Sequence, residues 1–265
     1  MSRNREIERE QIVHGNRWGT FHDGYFSNAD VARPLLEQVI RCAGLSGAAT
    51  VVDLGGGTGT LSRLLTEQFA PLPFRLVTMD GSSEQLKTAQ AAGVTTHQGS
   101  IETFRRADLN PDGGPLLYMM RSVLHYLGRE ALAGALEHIR RQTGPDEYFV
   151  HQTACFSSQE EADCLNELYA RMRTEKWYPA ENRLTELLQQ TGWSVEAILP
   201  APALALTAED LSLRYALSAQ DRLEIRDRIC AAHPACGHLF QPDATGFTAY
   251  LPYRIFICRN RAASR

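Results

Sequence analysis

The sequence predicts an α/β protein: a doubly wound, mainly parallel seven-stranded sheet with helical lid insertions. Three observations predict it. Short apolar runs alternate with helix-period patterns along most of the chain, which is the signature of βαβ units with right-handed crossovers. The run "VVDLGGGTGT" (51–60) then places four glycines within five positions, between an apolar run and a helical pattern. Finally, the next apolar run, "FRLVTMD", closes on an acid, Asp80.

Each element follows in order. Residues 1–30 are polar with interleaved aromatics (Trp18, Phe21, Tyr25, Phe26), which implies a segment that packs against something. "NADVARPLLEQVIRCAGL" reads as a helix with Asn28 or Asp30 as N-cap, Leu35, Leu36, Val39 and Ile40 on one face, and Gly44 as its stop. "ATVVDL" is a short apolar run fit for a strand buried on both faces. "TLSRLLTEQFA" carries leucines at helical spacing, "FRLVTMD" is a second strand, and "SSEQLKTAQAAG" is a helix capped by Ser82 or Ser83 and closed by Gly93. "VTTHQGS" and "PLLYMMRSVLHYL" are strands three and four, followed by the helix "REALAGALEHIRRQT". "DEYFVHQTACF", "SVEAILP" and "FTAYLPYRIFICRN" are the last three strands, and the helix "ENRLTELLQQTGW" lies between the first two of them, stopped by Gly192. Residues 1–48 form an N-terminal helical and aromatic lid segment. The main domain occupies 49–265, with cap insertions at about 156–180 and 200–246, the second read as largely helical.

The chain has 265 residues, 43% hydrophobic and 22% charged, with a net charge of −4. That balance suits one large soluble domain and argues against a broad basic surface for nucleic acid. No apolar run approaches the roughly 20 residues that span a bilayer. The charged N-terminus "MSRNREIEREQIV" lacks the apolar stretch of a signal peptide. The six cysteines (42, 155, 164, 230, 236, 258) are scattered without a CxxC pair, so reduced thiols in a cytoplasmic protein are expected.

Glycines after a strand permit positive φ and let a ligand rest on the backbone. A phosphate loop needs a Lys-Ser/Thr pair at its end, and Thr58-Gly59-Thr60 has no lysine. The dinucleotide fingerprint fits at Gly55 and Gly57 but meets Thr60 at its last small position. "VVDLGGGTG", with Asp53 two residues before the first glycine and glycines at 55, 57 and 59, instead resembles the first motif of class I S-adenosylmethionine-dependent methyltransferases. The resemblance runs through the alternating pattern from about Thr50 to Leu199 and resumes at the closing strand. It implies a Rossmann-like methyltransferase fold whose seventh strand runs antiparallel, and S-adenosyl-L-methionine as cofactor. Asp80 matches the acid that binds the ribose hydroxyls, with Gly81 beside it; a carboxylate accepting two hydrogen bonds suits a vicinal diol. The family's loop after strand three often carries an acid for the adenine amino group. Here "QGSIE" offers Ser100 in that place, with Ile101 to pack on the ring.

"MMRSVLHYL" resembles a stretch of many small-molecule O-methyltransferases in which the histidine is a general base. His125 matches it, and imidazole titrates in the right range to take a phenolic proton. A histidine there also serves as packing beside the cofactor, and Tyr126-Leu127 departs from the group's Asp-Trp pair. Arg121 matches a residue at the cofactor's edge. Tyr25 and Phe26 are candidates to touch the methionine end or the acceptor. "CAAHPACGH" gathers Cys230, His233, Cys236 and His238, but the spacing is not that of a usual zinc pair and Pro234 interrupts it; a helix end with a turn, and no metal, is the expectation.

The expected partner is a small, aromatic or otherwise apolar acceptor methylated at oxygen, with no nucleic acid and no membrane; a homodimer stays open. Two rivals stay open with it: a nicotinamide-dependent oxidoreductase on the same kind of sheet, and a cofactor-binding protein without catalysis.

Overall fold

The computed structural model describes residues 24–261; Trp18 and Phe21 of the expected aromatic segment lie outside them. The strands are β1 (Thr50–Leu54), β2 (Arg75–Asp80), β3 (Thr96–Gln98), β4 (Leu116–Arg121), β5 (Tyr148–Ala154), β6 (Ser194–Thr207), β7 (Phe240–Pro242) and β8 (Phe247–Arg259). They form one sheet in the order β3-β2-β1-β4-β5-β8-β6, with β7 paired to β8. Strands β1 to β5 run parallel, and β8 enters antiparallel between β5 and β6. The expected mainly parallel sheet of seven strands, with its closing strand antiparallel, is thus present, and β7 adds an eighth strand.

The helices are α1 (Ala29–Ser46), α2 (Thr60–Phe69), α3 (Ser83–Ala91), α4 (Arg106–Leu109), α5 (Gly128–Arg141), α6 (Gln159–Arg171), α7 (Glu181–Gln190), α8 (Ala208–Tyr215) and α9 (Ala219–Ala232). None among the described residues is long and apolar enough to cross a membrane. Period-two alternation sends successive strand residues to opposite faces. Val51, Met119 and Ile257 pack with Leu35, Leu36 and Val39 of α1 and Leu65 of α2. Val52, Met120 and Phe256 pack with Leu132 and Leu136 of α5 and Leu184 and Leu188 of α7. A third core lies in the cap, where Leu165 and Leu168 of α6, Leu211 of α8 and Ile229 of α9 meet Phe247 and Leu251 of β8.

Three expectations need correction. Helix α1 runs past Gly44 and stops at Gly47, which takes the left-handed conformation at φ 61° and caps the helix. Nothing requires a positive φ at Gly44, so the helix passes through it. Strand four ends at Arg121, and Leu124–Leu127 forms a 3₁₀ turn instead of more strand. The second insertion begins later than residue 200, because β6 continues to Thr207 and pairs with β8 along its length. Its prolines, Pro200 and Pro202, are tolerated because β6 is an edge strand, where a missing N–H leaves no neighbour unpaired.

Candidate active site

In a doubly wound sheet the ligand crevice opens at the carboxyl ends of the strands where the order reverses. Here that point is between β1 and β4, and a cavity of about 320 Å³ lies there. Its walls come from the loops that follow β1, β2, β3 and β4, and from Phe26 and Ser27.

The β1 loop begins with Gly55 and Gly56 donating to the Met79 carbonyl at 2.7 and 3.1 Å, which ties it to β2. Gly55 and Gly57 have φ of 71° and 55°. A side chain at Gly55 would strike Val123 at 2.7 Å, and one at Gly57 would strike Gln85 at 2.8 Å. Both positions therefore demand bare backbone. Gly59, at φ 73°, does a different job: a Cβ there would meet Ala89 and Val94, so it brings the start of α2 close to α3. It is not among the wall residues, whereas Asp53, Gly55, Gly57, Asp80, Gly81, Ser100, Ile101 and Arg121 are.

Asp80 is fixed by the backbone. Its Oδ2 accepts from Gly57 N at 2.9 Å and its Oδ1 from Ser82 N at 2.8 Å. An ionised carboxylate has about four acceptor sites, so two remain for a pair of hydroxyls. Burial raises its pKa above the ordinary carboxylate value, and these backbone donors pull it back. Asp53 is buried and accepts from Ser62 Oγ at 3.3 Å. Desolvation pushes its carboxyl up to about 7, against the opposing pull of Arg121.

Arg121 ends β4 with its Nη2 donating to the Phe26 carbonyl at 2.5 Å and its guanidinium 5.6 Å from the centre of the Phe26 ring. Its Nη1 is buried and has no hydrogen-bond partner among the described residues. A buried guanidinium donor left in this way calls for an anionic or carbonyl acceptor. Tyr25 stands behind Phe26: its hydroxyl donates to Pro202 O at 2.6 Å, and its ring stacks on Tyr253 at 5.8 Å. Phe26, not Tyr25, reaches the cavity wall.

His125 sits in the 3₁₀ turn, buried, with its ring 4.9 Å from Tyr178 at 17° and 4.2 Å from Tyr126. Its backbone carbonyl accepts from Trp177 N at 3.1 Å. His125 is not among the wall residues, but its neighbours Tyr126 and Leu127 are, and the Tyr126 hydroxyl accepts from Arg214 Nη2 at 3.0 Å. Ser122, which precedes the turn, is forced to φ 59° and hydrogen-bonds Tyr253 Oη at 2.9 Å.

Sequence reasoning missed Tyr126, Gln85 and Glu102 as wall residues. Glu102 had a signal: it is the acid of "QGSIE", two residues beyond the position where an acid was sought. Gln85 and Tyr126 carry no local signal, because only the packing of α3 and the 3₁₀ turn brings them in.

The donor set fits a sulfonium nucleoside. The bare Gly55–Gly57 backbone and Arg121 Nη1 would hold the amino-acid part. Asp80 would hold the diol, and Gly81, Ser100, Ile101 and Glu102 would flank the base.

Comparisons agree with that geometry. The family model described as a methyltransferase domain matches residues 27–198, more than half of the chain. Sterigmatocystin 8-O-methyltransferases of Aspergillus flavus and Aspergillus parasiticus are 29% identical over 96 residues, 36% of this chain. The chain matches about a fifth of the length of those relatives, 21%. A putative methyltransferase from Bacillus halodurans superposes with a TM-score of 0.69 at 17% identity, covering 89% of this chain and all of that one. Magnesium protoporphyrin IX methyltransferase from Synechocystis, solved with bound S-adenosylhomocysteine, gives a TM-score of 0.56 at 12% identity over 98% of this chain and 95% of that one. With motif, strand order and family model in agreement, this chain belongs to the methyltransferase-domain family, and its domain is a class I S-adenosylmethionine-dependent methyltransferase.

Proposed function

We propose that the protein methylates a small, aromatic or otherwise apolar acceptor, at oxygen. The observation that carries the acceptor class is the apolar and aromatic part of the cavity wall, formed by Phe26, Val123, Tyr126 and Leu127. The sterigmatocystin relatives, O-methyltransferases by name, support oxygen as the acceptor atom.

S-adenosylmethionine supplies an electrophilic methyl group on a sulfur that leaves as a neutral thioether. Much of the acceleration then comes from alignment. Asp80, Arg121 and the glycine turn fix one reactant at three points, and the wall around Tyr126 confines the other. His125, the candidate base, is better placed to act through Tyr126: it is sandwiched between Tyr126 and Tyr178, and its own carbonyl pins the Trp177 segment.

Calorimetry with S-adenosylhomocysteine and with NAD separates this reading from the oxidoreductase one. S-adenosylhomocysteine should bind, and D80N should weaken it by about 10–100-fold, the worth of roughly 1.4–2.8 kcal/mol. NAD binding without S-adenosylhomocysteine binding would overturn the reading. A screen of phenolic acceptors with methyl-labelled cofactor tests the acceptor class and separates an enzyme from a protein that only binds the cofactor. For His125, H125Q should lower turnover and leave the pH–rate profile in place. Loss of the acidic limb would instead assign His125 as the base.

A further inference from the structure

The cap contains a cluster that the cofactor site does not use. Cys164 of α6 and Cys236 of the Pro234–Cys236 turn are both buried, and the partly buried His233 joins them. Their ligand atoms all lie within 4.8 Å of one another. The cluster crosses both insertions: Cys164 belongs to the first, and His233 and Cys236 to the second. The linear motif in the sequence pointed to Cys230 and His238. The fold replaces them with Cys164, and His238 turns away to Glu161 at 2.9 Å.

We propose that Cys164, His233 and Cys236 form a zinc-type metal site that clamps the two halves of the cap together. Three further observations support it. Around a tetrahedral zinc with bonds of about 2.0–2.3 Å, neighbouring ligand atoms stand roughly 3.5–3.8 Å apart; with the atoms within 4.8 Å, the cluster needs a contraction of about 1.3 Å at most. The ligand types are one imidazole and two thiols, a set that favours zinc over hard cations such as magnesium or calcium. Glu167, one turn after Cys164 on α6, meets His233 Nε2 at 2.8 Å. A carboxylate on one ring nitrogen is the usual partner of a metal-binding histidine; it fixes the ring and leaves the other nitrogen to coordinate. Arg171 holds Glu167 in turn, with its Nε at 3.0 Å. The three side chains supply three of the four positions of a tetrahedral site.

The site's function is structural. α6, α9 and the turn after it are held through the third core, and a shared ion adds a cross-link between segments about 70 residues apart in sequence. It lies apart from the cavity wall, so occupancy should change the stability of the cap and leave cofactor binding nearly untouched.

The test uses full-length protein purified under reducing conditions, treated with chelator, and titrated with Co²⁺ and then Zn²⁺. One equivalent of Co²⁺ should give thiolate charge-transfer and tetrahedral ligand-field absorption, abolished by Zn²⁺. C164S and C236S should lose that absorption and bind Zn²⁺ at least 100-fold more weakly, E167Q should bind about 10–100-fold more weakly, and C230S should bind as the parent does. S-adenosylhomocysteine binding, retained within about threefold, shows that each variant is folded. The proposal is overturned if the parent gives no charge-transfer band, if C164S keeps it, or if the parent instead carries a Cys164–Cys236 disulfide with no metal.

Discussion

Asp53 and Asp80 stand at the ends of adjacent strands, yet the chain treats them differently. Asp80 takes backbone N–H donors from Gly57 and Ser82, which oppose the upward push of burial and favour the carboxylate that a diol needs. Asp53 is sealed with a single hydroxyl donor, and its carboxyl sits at about 7. In the unfolded chain it would titrate near the ordinary value of about 3.9. Between those values the folded state holds a proton that the unfolded state releases, so Asp53 costs stability increasingly as pH rises from about 4 to 7. The full cost approaches 4 kcal/mol at most. D53N should therefore gain stability relative to the parent at pH 8 and gain little at pH 4, measured by denaturant melts at both values. An equal difference at the two pH values would show that Asp53 titrates normally. Both acids were legible because each closes an apolar run beside the glycines. The donors that oppose burial at each were not, because they depend on what the fold aims at each carboxylate.

Strand β5 lies inside the sheet between β4 and β8, and all seven of its residues are buried. His151 in its middle stacks on Phe256 of β8 at 5.0 Å and on Phe149 at 4.6 Å, and pairs with Thr153 Oγ1 at 2.8 Å through Nδ1. Burial depresses its pKa from 6.5 to about 3. Below pH 6.5 the unfolded chain takes up a proton that folded His151 refuses, so stability is lost from about 6.5 down to 3. The loss reaches about 5 kcal/mol at the acid end. H151F should flatten the acid limb of the stability profile and change little above pH 7. The strand itself was legible from "YFVHQTA" as an apolar run; that its histidine would stay neutral was decided by Phe256, more than 100 residues away. Strand β6 shows the same division. "SVEAILP" was readable, but its continuation through two prolines depends on lying at the sheet's edge beside β8.

Across the molecule, two cores flank the sheet and a third fills the cap. The cavity belongs to the sheet's crevice, and none of its wall residues comes from the cap core. Leu211 of α8 is fully buried in the cap core and absent from the cavity wall. L211A should destabilise by about 2–5 kcal/mol and lower Tm by roughly 5–15 °C. S-adenosylhomocysteine affinity should stay within about threefold. A parallel collapse of affinity would mean that the cap core and the cofactor crevice are one unit.

By itself the sequence determined the alternating α/β plan, the glycine turn and Asp80, because each is written in contiguous residues: a strand, a turn and a helix N-terminus are local in the chain. The same holds for Ser100 and Ile101, which follow a strand end. Only the tertiary structure decided that Phe26 faces the cavity while Tyr25 is spent on Pro202 and Tyr253. It alone brought Tyr126 to the wall, folded His125 into an aromatic stack, and joined Cys164 to His233 and Cys236. Those placements depend on long-range packing of side chains against elements tens to more than 100 residues distant, and no local periodicity records which distant face a side chain will meet.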